Sequence, residues 1–435
     1  MQMGDDQPLP DASVDAPEVP PDAPALLGTT CTNQAMEVAR ITGAAIDPDD
    51  PSFYGTGYKQ GLFTRDADND GKGDVLVFEH LTSAPAGYQY RIRLFPRTTT
   101  GFDAPVVSTF TVPQYGAESN AVGDFNGDKL LDVIFTYSTE TPQRSPFVYV
   151  ALQQANKTFT VGARIDVSAC LSSTDERLFG FAIADVDRDG KDDVLTTVSY
   201  NGLGAAPAGL TLLKGTTTGL AAGTCIAKSG TATPGIPNIL YAAEQFFVGD
   251  FDGDGYQDFI ASVNDKLKLY KQTAASTYAA VGGEVARPTW RVTYGNVVAG
   301  RPKQDLVNAD IKSAITNINR FVIDPATGIT TWPATTLPEA DTNGSYGNIR
   351  GVVVGDMNGD KLTDVLAVGS QGLSNGSTTP STFSMTCDRN ARWDQVSGSF
   401  GTSSVRDLRP IDYDGDGRTD VLANAGADVV IFKIQ

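Results

Sequence analysis

One histidine, His80, stands in the 435 residues, and that scarcity removes most acid–base chemistry. A Ser-His-Asp or Cys-His arrangement has a single possible centre here, with no supporting motif. His80 follows a strand-like run and reads as a surface or strand-end residue. Zinc is disfavoured for the same reason, since the four cysteines are widely separated and outside any Cys-x-x-Cys spacing. No apolar run is long enough to span a membrane, and no long amphipathic helical pattern occurs. Only 33 basic residues face 52 acidic ones, and no basic stripe exists, which excludes nucleic acid as a partner.

Glycine (45 residues), threonine and valine are what the chain has instead. That composition suits short strands and many turns, and 40% hydrophobic residues suffice for a core. Among the turns one acidic phrase returns: Asp-x-Asp/Asn-x-Asp-x-x-x-Asp, followed at once by an apolar run. Intact copies begin at Asp66, Asp124, Asp185, Asp250, Asp356 and Asp412, and a decayed one spans Asn296 to Asp305. Successive starts lie 58, 61, 65, 46, 60 and 56 residues apart, so the chain is a repeat architecture.

Each intact copy has the chemistry of a calcium loop. Calcium takes six to eight oxygens, and alternating acidic side chains on a tight loop supply them. Positions 1, 3, 5 and 9 are Asp66, Asp68, Asp70, Asp74; Asp124, Asn126, Asp128, Asp132; and Asp185, Asp187, Asp189, Asp193. The later copies are Asp250, Asp252, Asp254, Asp258; Asp356, Asn358, Asp360, Asp364; and Asp412, Asp414, Asp416, Asp420. Position 7 offers only its carbonyl, so Lys72, Leu130, Lys191, Tyr256, Leu362 and Arg418 are free to differ. Glycine at position 4 or 6 permits the turn. Position 12 lacks the bidentate Glu of an EF-hand, and the flanks are β-rich. Asn126 and Asn358 remove a charge from their loops, which marks those two as weaker sites. In the decayed copy Val298 and Gly300 replace ligands and Arg301 and Lys303 bring positive charge, so no calcium is expected there.

The net charge of −19 follows from these loops. Their ligand positions hold 22 of the 52 acidic residues, and six calcium ions would bring −19 to −7. Residues 1–27 add six more acids without a Lys or Arg, in a Pro-, Asp- and Ala-rich tether. The tether resembles those that follow the lipid-modified cysteine of bacterial surface lipoproteins, so a lipid anchor is the one membrane link expected. The alternative is a cytosolic start with an acidic tail. Dependence on calcium favours export, because the cytosol is kept poor in it.

Within the third repeat, strands are expected at Phe179–Ala184, Asp193–Ser199, Ala208–Lys214 and Gly223–Lys228. Four strands per repeat make the chain all-β: a seven-bladed β-propeller over residues 28–435, with the calcium loops between first and second strands. After the last loop only Asp420–Asn424 and Ala427–Lys433 remain, and Asn33–Thr42 is a strand without a blade of its own. It is expected to complete the last blade and close the ring. In an exported protein the cysteines read as two disulfides, for which sequence allows three connectivities. The strand reading brings Cys31 to Cys387 at the closure. Cys170 and Cys225 then pair by elimination, although the same reading puts them near opposite rims.

Gly123-Asp124-Phe125-Asn126-Gly127-Asp128, Gly249-Asp250-Phe251-Asp252-Gly253-Asp254 and Gly355-Asp356-Met357-Asn358-Gly359-Asp360 resemble the FG-GAP and related VCBS repeats of integrin α-subunit heads and bacterial surface proteins. The resemblance spans nearly all of residues 30–435 and implies the propeller and its calcium. It leaves function open among adhesion modules, sugar-binding propellers and parts of polysaccharide-degrading enzymes.

Two functions are therefore carried forward. The first is an extracellular binding module for a glycan or protein, non-enzymatic. The second is a polysaccharide lyase or hydrolase with calcium as cofactor. Missing histidines and the lack of an acid/base set outside the loops favour the first. Aromatics recur away from the metal loops at Phe53, Tyr54, Tyr58, Tyr115, Tyr241, Trp290 and Tyr346, beside longer loops at Tyr200–Pro207 and Gln371–Thr379. Ligand contacts are expected at Tyr241, Trp290 and Tyr346, near blades four to six; packing between blades is the competing role for each.

Overall fold

Residues such as Val75, Leu76, Val77 and Phe78 are all buried in succession, in the middle of the strand Asp74–Ala84. A strand facing water on one side alternates apolar and polar residues; an unbroken apolar run needs cover on both faces. Here the two faces belong to different cores. Leu76 and Phe78 pack with Val133 and Phe135, whereas Val75 and Val77 pack with Leu422, Val429 and Ile431. Each sheet is thus one layer in a stack, with an apolar filling on either side.

The computed structural model describes residues 35–44, 61–84, 87–112, 120–136, 147–170, 176–200, 209–228, 247–263, 266–274, 277–286, 292–295, 305–312, 315–324, 326–336, 349–357, 364–370, 381–386, 393–396, 405–425 and 427–434. Antiparallel sheets follow one another along the chain. The third repeat forms Glu176–Ala184, Asp193–Tyr200, Gly209–Leu213 and Thr224–Lys228, paired in that order, as its sequence indicates. Among the described residues no α-helix occurs, Ser168–Cys170 makes a 3-10 turn, and no helix is long and apolar enough to cross a membrane. His80 lies inside the strand Asp74–Ala84, opposite Tyr90, rather than past its end.

Neighbouring sheets share cores in chain order. Phe125, Ile134 and Val148 meet Val194 and Leu213; Leu195 and Leu210 meet Phe259 and Tyr270; Ile260 and Leu267 meet Ile323 and Ile329. The sheets begun by Phe247–Gly249 and Val292–Gly295 also touch through one parallel bridge, Gly283 to Gly328. Gly328 has φ 93°, and a Cβ there would lie 2.6 Å from the Gly283 nitrogen, so no other residue fits that contact.

The stack returns on itself. Ala35–Ile41 pairs antiparallel with Asp428–Ile434, from Ala35 opposite Ile434 to Ile41 opposite Val429, and supplies the missing strand of the last sheet. Arg40 bonds Asp428 at 2.7 Å across this seam. Ile41 and Leu62 then share one core with Leu422 and Ile431, joining first sheet to last.

Cys170 and Cys225 are disulfide-bonded, with Cα atoms 4.8 Å apart. The strand reading set them near opposite rims, and the difference has a simple cause. The segment after Ile165–Asp166 turns back at Ser168–Cys170 and packs on Gly209–Leu213 and Thr224–Lys228, where Cys225 sits. Cys31 and Cys387 lie outside the described residues, as do residues 1–27.

The closing strand yields a prediction. A chain begun at residue 45 leaves the backbone edge of Asp428–Ile434 unpaired, and exposed edges pair with other chains. Its melting temperature falls and light scattering shows self-association; an unchanged melt as a monomer would refute the closure.

Candidate metal centres

All the described acidic loops occupy the same place, the turn between the first two strands of a sheet. The residue before each loop pairs with position 9: Arg65 with Asp74, Gly123 with Asp132, Ala184 with Asp193, Gly249 with Asp258, Ile411 with Asp420. Gly295 pairs in the same way with Asp305, so the decayed copy keeps the register with one extra residue in its turn. Positions 4 and 6 are both left-handed in every fully described loop, including Asn69 at φ 59°, Lys129 at 68° and Arg188 at 62°. The expected single glycine thus understates the constraint.

Position 1 organises the turn. Asp250 Oδ1 accepts from the backbone of Gly253 (2.7 Å) and Asp254 (3.1 Å), and its Oδ2 from Gly255 (2.9 Å). Asp66, Asp124 and Asp185 accept in the same manner. Oxygens of positions 1, 3 and 5 converge in the Asp66 and Asp250 loops, and of positions 1, 3 and 9 in the Asp185 and Asp412 loops, within 4.8 Å of one another. Two members are informative: Asp68 Oδ1 and Asp187 Oδ1 are buried and accept no hydrogen bond. A buried carboxylate oxygen without a donor is costly unless a cation takes that place. These clusters therefore fit a hard, oxygen-seeking metal ion.

Position 9 has further work. Asp258 is fully buried; its Oδ2 accepts from Phe251 (3.1 Å) in the loop, its Oδ1 from Gln272 (2.9 Å) at the end of the third strand. Asp74, Asp132 and Asp193 tie the loop to the end of the third strand or the residues just past it, through Ala67 and Arg97, Phe125 and Gln153, and Val186 and Gly215. Burial pushes their pKa up, to about 6 for Asp74, Asp193, Asp258 and Asp420 and about 8 for Asp132, against the pull of these backbone donors. Sequence reading made position 9 one ligand among four. The structure makes it the post on which the loop is mounted.

The loops are also stitched to one another. Position 2 points its side chain into the core shared with the next sheet, as Phe125, Val186 and Phe251 do. Its carbonyl is held by that next sheet as well: Gln153 Nε2 bonds Ala67 O at 2.9 Å, and Gln272 Nε2 bonds Val186 O at 2.8 Å. Thr216 N bonds Phe125 O at 3.2 Å, and across the seam Arg97 Nε bonds Tyr413 O at 3.0 Å. Lysines outside the loops reach the carboxylates too. Lys157 pairs with Asp68, Lys214 with Asp187, Lys271 with Asp252 and Lys433 with Asp414. Sequence reading missed these lysines and glutamines, because hairpins of unequal length place them at unequal distances from the loops.

Between the Asp66 and Asp412 loops opens a cleft of about 550 Å³. Thr64, Lys72, Thr98, Thr99, Asp412 and Asp414 line it, with Arg97 stacked 3.7 Å over the Tyr413 ring. Asn358, Asp360 and Leu362, the turn 296–304, and Tyr241, Trp290 and Tyr346 lie outside the described residues.

Replacement tests the post. Asp258→Ala leaves the Phe251 and Gln272 N–H groups buried without an acceptor, at about 1–3 kcal/mol each. Denaturant unfolding in excess chelator should show a loss on that scale. A midpoint equal to wild type would mean the carboxylate serves only as a metal ligand.

The FG-GAP-like repeat family matches residues 124–196, which hold the Asp124 and Asp185 loops. No curated protein sequence matches the chain. Among solved structures, a lectin from Agrocybe aegerita, described for specific recognition of non-reducing terminal N-acetylglucosamine, is similar at 14% identity and TM-score 0.51, over 83% of this chain and 88% of the lectin. A Pseudomonas aeruginosa periplasmic gluconolactonase matches at 9% identity and TM-score 0.48, covering 79% and 86%. A rhamnogalacturonan lyase matches at 14% and 0.35, covering 86% and 90%. The lectin's likeness bears on the fold, and the repeat match on the loops. Together with stacked sheets whose described acidic turns sit alike and whose last member closes on the first, they show a β-propeller fold that carries an FG-GAP-like repeat over residues 124–196.

Proposed function

We propose that the chain is a seven-bladed, calcium-loaded propeller that works outside the cytosol as a binding module for a glycan or protein. The observation that carries the metal is the pair of buried, unpartnered oxygens, Asp68 Oδ1 and Asp187 Oδ1, each aimed among converging carboxylates. All-oxygen donors at alternate positions of a tight turn suit calcium above softer ions. Six intact loops give about six sites, built from the side chains of positions 1, 3, 5 and 9 with the carbonyl of position 7. The Cys170–Cys225 disulfide supports an oxidising compartment.

Recognition rather than catalysis is supported by the chemistry at hand. The loop carboxylates are engaged as ligands and turn holders, and the chain has a single histidine to serve as a neutral base. The cleft at the seam is within the size range of ligand sites and mixes hydroxyl, carboxylate and ammonium groups, a lining suited to a polyhydroxylated ligand. Tyr241, Trp290 and Tyr346, outside the described residues, are the second place where a sugar or peptide is expected to stack.

Two measurements test this reading. Calcium at a hundred times its Kd stabilises by about 2.7 kcal/mol per site, so excess chelator should lower the melting temperature steeply. Asp254→Ala should lose about one site's worth in calcium and little in chelator; an identical melt with and without calcium rejects the metal. A glycan array in calcium should show retention without chain cleavage, weakened by Thr99→Trp in the cleft or by alanine at Tyr241, Trp290 and Tyr346. New reducing or unsaturated ends would make the protein an enzyme instead.

A further inference from the structure

Position 3 of the loops is matched to the charge of a residue far away in sequence. Lys214, Lys271 and Lys433 occupy one structural position. Each follows the third-strand residue that pairs with position 10 of its loop: Leu213 with Val194, Tyr270 with Phe259, Phe432 with Val421. In all three loops position 3 is aspartate, and the lysine Nζ bonds its Oδ2: Lys214 to Asp187 at 2.7 Å, Lys271 to Asp252, Lys433 to Asp414. Lys271 and Lys433 extend to the position-5 oxygen as well, at 3.3 Å to Asp254 and 2.6 Å to Asp416.

The remaining loops follow the same rule by other means. In the Asp66 loop the structural position is Pro96, beyond Phe95, which pairs with Val75. Asp68 there receives its ammonium from Lys157, on the turn after Phe147–Gln153 of the next sheet, at 2.5 Å. In the Asp124 loop the position is Leu152, beyond Ala151, which pairs with Val133. Position 3 is now Asn126, whose Nδ2 replaces the oxygen an ammonium would bond and itself donates to Asp128 Oδ2 at 3.0 Å. In the Asp356 loop position 3 is again asparagine, Asn358, and the residue after the strand Ser381–Thr386 is Cys387.

We infer that Lys157, Lys214, Lys271 and Lys433 set the affinity of their metal loops, an inference that rests on the calcium reading above. At the four ligand positions, four carboxylates with the facing ammonium carry the same charge as three carboxylates with one carboxamide, while Lys72 and Lys191 within their own loops pair with position 5 besides. Loops with aspartate and loops with asparagine at position 3 therefore fill over the same calcium range, and the weaker pair expected from loop residues alone disappears. The ammonium takes the outer oxygen of position 3. In the Asp66 and Asp185 loops the inner oxygen, Oδ1 of Asp68 and of Asp187, stays buried and free for the ion. A fixed positive charge so close to the ion lowers its affinity, and in the metal-free chain it relieves repulsion among the acids.

The test uses the full chain with calcium as the probe, by titration calorimetry and by melting in calcium and in chelator. Lys271→Met should tighten one site about tenfold and lower the melting temperature in chelator. Asn126→Asp should tighten the second loop by a similar factor, and Asn126→Asp with Leu152→Lys should return it to wild type. A lysine with a packing role alone would lower both melts and leave the calcium isotherm as it was. Unchanged or weakened binding in Lys271→Met, or no reversal by Leu152→Lys, overturns the inference while the calcium reading stands. A wild-type chain without calcium heat or melt shift overturns both.

Discussion

A buried aspartate at the foot of each fully described acidic turn is the constraint on which this architecture hangs. Asp258 shows its logic: the carboxylate is out of water, so it must find donors, and it finds them in the turn and in the third strand at once. Hydrogen bonds to a charged group contribute more than neutral ones, about 1.5–3 kcal/mol each. The turn between first and second strands is thereby fastened to the end of the third. With its base fixed, the turn brings positions 1 and 3 together, joined by position 5 in the Asp66 and Asp250 loops and by position 9 in the Asp185 and Asp412 loops.

The same fastening passes from sheet to sheet. Position 2 of a loop gives its side chain to the core it shares with the next sheet and its carbonyl to a donor there. At the seam Arg97 plays the donor to Tyr413 while Ala35–Ile41 completes the last sheet. Acidic loops and sheet interfaces are thus one connected structure, so an ion that stiffened a loop would stiffen the junction beyond it as well. A site lodged between two sheets, such as the cleft beside the Asp66 and Asp412 loops, is only as well defined as the junction that forms it.

Much of this was legible from residues alone, for a physical reason. The turn is local: its ligands lie within nine residues, and the strand that follows is announced by runs such as Asp193-Val194-Leu195. Closure was legible too, since Asn33–Thr42 had no partner in its own neighbourhood and the last sheet lacked one strand. The double role of position 9 was hidden, because Asp258 and Asp254 are the same residue type and differ only in burial. The lysines were hidden by hairpin length: Lys214 follows Asp193 by 21 residues, while Lys271 follows Asp258 by 13. The pairing of Cys170 with Cys225 came by elimination against the strand reading, and only the turn Ser168–Cys170 explains it.

By itself the amino-acid sequence determined what short-range chemistry can encode: the acidic turns, their spacing, the strands beside them, and hence an all-β repeat protein with metal-binding chemistry. Tertiary structure decided everything that depends on which distant groups meet. It chose the donors for the buried carboxylates, the cation that faces each described position-3 aspartate, the carbonyl that each glutamine crosses to, and the two ends that close the stack. Those choices follow from the offset and length of hairpins. A few residues more or less there leave the sequence pattern of the loop untouched and change its partner.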